Sequence, residues 1–401
     1  MALLPVDEAL SLLEKAVPGP EAERIPWPQA LGRVLLEPAA AAWDDPPFSR
    51  SSMDGYAVLD GDAAEGTVLP VAGVLFAGDV PRRPLSPGTA VKIMTGAQIP
   101  PGATAVVPVE DTETPEDGSV RFLRRARPGE NIRLQGENVR RGEEAFPAGR
   151  LLDALDVASG NVLGIAEAVV AKRPTARILA TGSELCPPGS RPAPGGIVDA
   201  NGPLLAALLE GWGAHVEGLG RVRDEEGPLS AALKEGLASD FLVVTGGVSA
   251  GDRDLVPALL RNLGASIHFH KVAMKPGKPV LLATSGKTVV LGLPGNPVSA
   301  FVGAHLFLNP AVRLRTGLRP RRWGKACLAR ERPRPQGPRT GFEPAVEAGD
   351  GGIDLLPHRG SGDLPAWREA AFLARIPGGA PPLPAGTVLD VLFLGRRKEG
   401  P

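Results

Sequence analysis

Cysteine is almost missing from this 401-residue chain: Cys186 and Cys327 stand far apart, and no CxxC pair occurs. That excludes a disulfide framework and a cysteine-built zinc site, and it fits a reducing cytoplasm. Aromatic residues are scarce at 4%, with Tyr56 the single tyrosine, so these rings read as packing elements rather than stacking platforms for nucleic acid. Net charge is small too. Lys+Arg 44 against Asp+Glu 45 leave a formal −1, which argues against nucleic acid or an anionic membrane as a partner held by a whole-protein field. Any anion site must therefore be local. No apolar run approaches the ~20 residues that span a bilayer. The opening MALLPVDEALSLLEKAV carries Asp7, Glu8 and Glu14 in place of a basic leader, so neither a membrane anchor nor a signal peptide is expected. Histidines number 5 and are scattered, His268 and His270 alternating in one strand-like run, which gives no metal triad and no Ser-His-Asp order.

Glycine and proline, by contrast, are abundant at 51 and 43, without a collagen-like period, which predicts many short strands and tight turns. Hydrophobic residues at 43% and charged residues at 22% are those of a folding globular chain, and at about 150 residues per domain the length implies two to four domains. Val6, Ala9, Leu10, Leu13 and Val17 recur at helical spacing, predicting a short amphipathic helix. Beyond it, strand-like runs at 68–76, 90–94 and 103–109, separated by PGTA, PPGA and EDGS, predict a small β module. A helical pattern at 151–163 leads to a boundary at Lys172-Arg173-Pro174.

From Ala176 the rhythm becomes strand, helix, strand, helix, which predicts parallel strands joined by crossover helices, a doubly wound α/β domain. Its strands are RILAT, HVEGLGRV, FLVVTGG, SIHFHKV, PVLLAT and TVVLGL, with helices near 203–212, 229–238, 255–263 and 297–314. After a second boundary at 319–322 and an Arg/Pro-rich loop at 330–339, the runs ACLAR, GIDLLPH, AFLARI and TVLDVLFLG predict a small C-terminal β domain. The expected architecture is thus multidomain α/β plus β. It comprises an N-terminal region 1–172 with a β module inserted at about 46–145, a central α/β domain 173–320, and a β domain 321–397.

Open parallel sheets bind ligands beyond the carboxyl ends of their strands. Three such ends are chemically loaded. FLVVTGG runs into Val248-Ser249-Ala250-Gly251-Asp252-Arg253-Asp254, where Gly246 and Gly247 would let backbone approach a phosphate, Ser249 adds a hydroxyl, and Asp252 and Asp254 offer hard oxygens for Mg²⁺. A helix cap with acidic first-turn residues explains the same segment. The next end carries Lys271, Lys275 and Lys278, point charges suited to an oxyanion; a solvated basic loop is the alternative. The third is Leu293-Pro294-Gly295-Asn296-Pro297-Val298-Ser299, a tight turn feeding a long apolar helix, whose N–H groups could hold an anion or be purely structural. Glu184 and Asp224 follow two further strands and would add carboxylates to that edge, although Asp224 alone reads about two to one as a helix cap.

Six motifs in order, Ser52-Met53-Asp54-Gly55-Tyr56-Ala57-Val58, Ile93-Met94-Thr95-Gly96-Ala97, GENVRRGEE at 136–144, GGVSAGDRD, MKPGKP and GLPGNPVSAF, resemble the molybdopterin molybdenumtransferase (MoeA) family, to which the gephyrin E domain is related. The likeness runs from Val6 to about Gly395. It implies a central domain of the molybdopterin-binding type and an elongated, cytoplasmic homodimer. In that dimer the cleft lies between the α/β domain of one subunit and the N-terminal β module of the other. The activity implied is transfer of molybdenum from molybdate to adenylylated molybdopterin, with Mg²⁺ and release of AMP, within molybdenum cofactor biosynthesis. The implied residues are Asp254 and Asp224 for Mg²⁺ and water near the anhydride, with Gly246, Gly247 and Ser249 on phosphate. Lys271, Lys275 and Lys278 would neutralise pyrophosphate and molybdate, with Pro294, Ser299 and Ser361 near the oxyanion. Glu184, Thr95 and Asp54 match residues linked to activity, and Glu144 matches a further acidic position where the family pattern has Asp. Ser183 stands where Asp is frequent, and Leu255 where an aromatic is usual. Partners implied are the upstream adenylyltransferase and downstream molybdoenzymes. Competing readings are molybdopterin adenylyltransferase, a gephyrin-like scaffold without turnover, and insertion of tungsten.

Overall fold

The computed structural model describes residues 3–115, 117–248, 255–349 and 351–395, and divides into two compact units, residues 24–170 and residues 3–23 with 171–395. In the first unit a six-stranded sheet takes the order 105–108, 55–58, 90–93, 68–75, 119–122, 112–113. Its core holds Tyr56, Val58, Val107, Val120 and Phe122. Gly55 is obligatory there, because a Cβ would stand 2.1 Å from the Val107 carbonyl oxygen. A second core in this unit gathers Trp27, Leu35, Phe146 and Val170. It is braced by the helix Ala154–Val162, whose start is closed by reciprocal Asp153 and Asp156 hydrogen bonds.

The second unit begins with helix α1 (Val6–Ala16), which buries Val6, Ala9 and Leu13 in the same core as the α/β sheet. Asp7 takes a bidentate hydrogen bond from Arg375, at 2.9 and 2.7 Å, so residues 3–23 pack with the α/β unit and not with the residues that directly follow them. The main sheet comprises β1 (Thr175–Thr181), β2 (His215–Val222), β3 (Phe241–Thr245), β4 (Ser266–His270), β5 (Leu281–Ser285) and β6 (Thr288–Leu293), in the order β2-β1-β3-β6-β5-β4. The crossover helices are α2 (Asn201–Gly211), α3 (Glu226–Gly236) and α4 (Val256–Asn262). β3 and β6, apolar but for Thr245 and Thr288, occupy the middle, buried throughout, whereas HVEGLGRV alternates half-buried with exposed along the β2 edge.

The expectation of a purely parallel sheet fails at one strand. β2, β1, β3 and β6 are mutually parallel, but β5 runs antiparallel to both β6 and β4. Only Gly286 and Lys287 separate Ser285 from its partner Thr288, far too short for a crossover, and Gly286 supplies the positive φ of a hairpin turn. After β6 the chain enters α5 (Pro297–Gly303), a π-helical turn at Ala304–Leu308 and α6 (Asn309–Arg315).

The C-terminal sheet contains β7 (Gly324–Cys327), β8 (Thr340–Glu347), β9 (Ile353–Leu355), β10 (Phe372–Ile376) and β11 (Val388–Phe393). β8 is absent from the predicted strands because Pro344 interrupts TGFEPAVE. In the sheet, Pro344 falls between two short partners on one edge, Met274–Lys275 and β9, where a missing N–H breaks no ladder bond. The pairing of Met274 with Thr340 and of Lys275 with Gly341 ties the basic loop of the α/β domain to this C-terminal sheet.

Candidate active site

Most of the described sequence-predicted residues belong to the unit with the main sheet, whereas Asp54, Thr95 and Glu144 belong to the unit 24–170. At the carboxyl edge of the main sheet, Gly246 and Gly247 take φ of +87° and +59°. A Cβ on Gly246 would lie 2.3 Å from the Thr181 carbonyl oxygen, and one on Gly247 would lie 2.8 Å from Thr181 Oγ1, so only glycine lets this turn sit against the end of β1. Asp224, just beyond β2, brings Oδ1 to 3.8 Å from the same Gly247 position. His270 Nε2 stands 2.7 Å from the Val248 carbonyl oxygen, which fastens the turn to the end of β4. The Pro294–Asn296 turn closes the edge: Gly246 N–H donates to Leu293 O at 3.1 Å, and a Cβ on Gly295 would meet Gly246 Cα at 3.6 Å. Glu184 folds back over the end of β1, its carboxylate 2.9 Å from where a Gly182 Cβ would stand.

The loop after β4 is folded by its own backbone. Lys271, at φ +84°, donates to Val280 O, and Lys278 O accepts from both Val272 and Val280. A non-glycine residue in the left-handed region stores of order 1 kcal/mol of strain, a feature that clusters at functional sites. Lys275 and Lys278 are exposed and Lys271 is half-buried. Among the described residues none of the three forms an ion pair with a carboxylate. Gly277 packs against α5, its Cβ position 3.4 Å from the carbonyl oxygen of the buried Ser299. Ser361 lies in a loop shaped by Asp363, which accepts from Arg359 N–H, and by His358, which accepts from Gly360 N–H. Trp367 at the end of that loop packs edge-on against Phe301 of α5, which sets the loop beside the helix carrying Ser299.

Asp254 and Ser249 lie outside the described residues, as does Asp252. Among the described residues no three metal-ligating side chains converge. Mg²⁺ keeps waters and needs only one or two carboxylates when substrate phosphates supply other oxygens, and Asp224 is one carboxylate at this edge.

In the unit 24–170, Asp54 and Thr95 meet although they are far apart in sequence. Asp54 Oδ1 accepts from both the Thr95 amide and the Thr95 hydroxyl, each at 2.7 Å. These two donors, the hydroxyl first, hold the Asp54 carboxyl below the ordinary aspartate range. Glu144 is exposed and stands apart from that pair in a two-stranded ribbon with Ala39–Ala40.

Several residues of consequence are invisible to motif reading. Asp44 accepts from Arg141 N–H and Gln135 Nε2, and Asp45 from Asn138 Nδ2, each at 2.8 Å, so the GENVRR segment is latched to WDDPP. Arg339, of the Arg/Pro-rich loop, donates to Met274 O at 3.1 Å beside Lys275, whereas Arg332 is bound to Glu343 and Gln336. Buried Thr181 Oγ1, Asp199 Oδ2, Asn201 Oδ1 and Asn296 Oδ1 have no hydrogen-bond partner, and all four belong to segments at this one sheet edge. Native interiors rarely leave such atoms unpaired away from functional sites. Two cavities open elsewhere, one of about 270 Å³ beside Leu35 and Ile165 and one of about 220 Å³ beside Leu13 and Trp323, and neither includes the residues above. Charge and unpartnered polar atoms, rather than concavity, make the sheet edge the candidate site, although Arg177 Nε, Arg315 Nε, Asp354 Oδ1 and Trp367 Nε1 lack a hydrogen-bond partner as well.

Residues 4–164 match the MoeA N-terminal region (domain I and II), and residues 177–314 match a probable molybdopterin binding domain. The chain is 35% identical to molybdopterin molybdenumtransferase 2 of Mycobacterium tuberculosis, across 92% of its own length and 94% of the relative's. It is 34% identical to molybdopterin molybdenumtransferase of Bacillus subtilis, across 99% and 95%. A solved structure of the molybdopterin biosynthesis moeA protein from Pyrococcus horikoshii superposes with a TM-score of 0.83 at 30% identity, covering 98% of this chain and 100% of that one. With 34–35% identity and near-complete coverage on both sides, the chain belongs to the molybdopterin molybdenumtransferase family.

Proposed function

We propose that this chain acts in molybdenum cofactor biosynthesis by inserting molybdenum from molybdate into adenylylated molybdopterin, with Mg²⁺ and release of AMP. The observation that carries this reading is the set of three lysines without carboxylate partners among the described residues, on the loop that follows β4, whose last residue His270 is bonded to Val248 O next to the Gly246–Gly247 turn, in a chain of net charge −1. A phosphoanhydride and a small dianion must be held together for this reaction, which needs local positive charge and fixed orientation. Lys271, Lys275 and Lys278 supply the charge, and Gly246, Gly247 and Ser249 contact phosphate. Pro294, Ser299 and Ser361 line the oxyanion pocket, with Arg339 beside it. Asp224 and Asp254 hold Mg²⁺, which, when bound, polarises the anhydride phosphate. Glu184 supports the same edge.

Asp54 and Thr95 take part through a homodimer in which each subunit completes the other's centre, with Glu144 a further acidic contributor. Exposed Trp43, Leu155 and Val162 support such an assembly: Leu155 and Val162 are seven residues apart on one helix, and Trp43 Nε1 donates to Val162 O. The adenylyltransferase reading leaves the match over residues 4–164 without a purpose. Among the described residues no helix is long and apolar enough to cross a membrane.

Removing one carboxylate at a time tests the assignment. Asp224→Ala and Asp254→Ala should each lower AMP release at least about a hundredfold, with unchanged far-UV circular dichroism, because each deletes a charged side chain and no apolar one. AMP release within a few-fold of wild type in both variants would remove them from the mechanism.

A further inference from the structure

Asn201, the first residue of α2, is buried at 6% exposure beneath the sheet edge. Its Nδ2 donates to Thr245 Oγ1 at 2.7 Å and to Gly295 O at 2.8 Å. The opposite amide orientation would set its oxygen against the Gly295 carbonyl, so the donor assignment is forced. Thr245, also buried, passes its own proton on to Pro294 O at 3.1 Å. Two successive carbonyls of the Pro294–Asn296 turn are therefore drawn inward by one relay. The Pro294–Gly295 and Gly295–Asn296 peptides are trans, so each N–H points opposite to the carbonyl of its own peptide unit. The Gly295 and Asn296 amides consequently face away from Asn201 and Thr245, and among the described residues neither has an acceptor. They stand beside the Gly246–Gly247 turn, 3.6 Å separating the Gly295 Cβ position from Gly246 Cα.

We infer that Asn201 is a positioning residue, acting through Thr245, that fixes the Pro294–Asn296 turn with two peptide N–H groups presented to a tetrahedral oxyanion of the substrate. The inference rests on the proposed function only in taking that substrate to be anionic. Paired backbone amides bind phosphate and molybdate by the same chemistry, so both are used as probes. The protein is labelled with ¹⁵N-glycine and titrated separately with AMP plus Mg²⁺ and with molybdate, calorimetry recording binding in parallel. The Gly295 resonance is assigned by its loss in Gly295→Ala, where the added Cβ meets only an ordinary contact.

We expect the Gly295 amide to move downfield with one of the two anions, which also identifies the group it holds. Thr245→Val should weaken that anion about tenfold, Asn201→Asp should do so at least as much, and Thr245→Ser, which keeps the hydroxyl, should restore it. Substitutions that lowered only the melting temperature, with anion affinity unmoved, would overturn the role. So would binding by calorimetry in wild type without any shift of Gly295. Failure of either anion to bind at all would overturn the anionic reading of the whole edge, and this inference with it.

Discussion

Asp54 is stabilised in its charged form by two donors from one residue. Its folded pKa lies below the unfolded value near 3.9, so the pairing contributes fully above that pH and is lost as pH falls through the folded value. We therefore expect the rate of AMP release to show no Asp54 titration between pH 5 and 8, and Asp54→Asn to cost about tenfold or more at every pH in that range. A pH-rate profile on both proteins checks this, and a variant matching wild type would exclude Asp54. Gly246→Ala, whose Cβ meets a backbone oxygen at 2.3 Å, should lose both stability and activity, read by thermal melting beside turnover. Residues whose chemistry is local were legible in the sequence: clustered Lys271, Lys275 and Lys278, and the paired Gly246 and Gly247. Asn201 was not, because Asn-Gly-Pro reads as punctuation before a helix, and nothing in one sequence reveals that its amide reaches Gly295, 94 residues on. Asp44 was hidden likewise, its partners lying 91 and 97 residues away.

Elements were legible where one period dominated. The buried runs of β3 and β6 and the helix of Val6–Ala16 follow directly from their apolar spacing. Strand direction was less so: the rhythm of the domain implied parallel strands, and only the two-residue Gly286-Lys287 link disclosed the reversal of β5. Local composition concealed β8, whose Pro344 is admissible only because of where its neighbours end. Long-range anchoring of elements rests on charge. Glu21 binds Lys287 at 2.9 Å and buried Arg315 at 3.1 Å, and these two cations pull its carboxyl down to about 2. Since the folded pKa is depressed, this contribution is present above about 4.5 and disappears as pH falls from there through about 2. Glu21→Gln should lower stability at pH 7 and flatten the acid limb of a denaturant-stability profile between those values. An acid limb of unchanged slope would show that the clamp contributes nothing.

For the molecule as a whole, a nearly neutral chain carries, on the loop after β4, three lysines without carboxylate partners among the described residues, and exposes apolar side chains on both units, Trp43, Leu155 and Val162 among them on the unit 24–170. Leu155, at 77% exposure, is the most open of these on the helix Ala154–Val162. Leu155→Glu should convert the proposed homodimer to monomer in light scattering while sparing the fold, and a wild-type protein that is already monomeric would remove the shared-centre arrangement. The central claim, insertion of molybdenum coupled to release of AMP, is tested most directly by anaerobic incubation of the purified protein with adenylylated molybdopterin and Mg²⁺, with and without molybdate. Molybdate-dependent AMP release with metal retained on the pterin is the result expected. No AMP release, together with synthesis of adenylylated molybdopterin from ATP and molybdopterin, would contradict it and assign the chain to the preceding step.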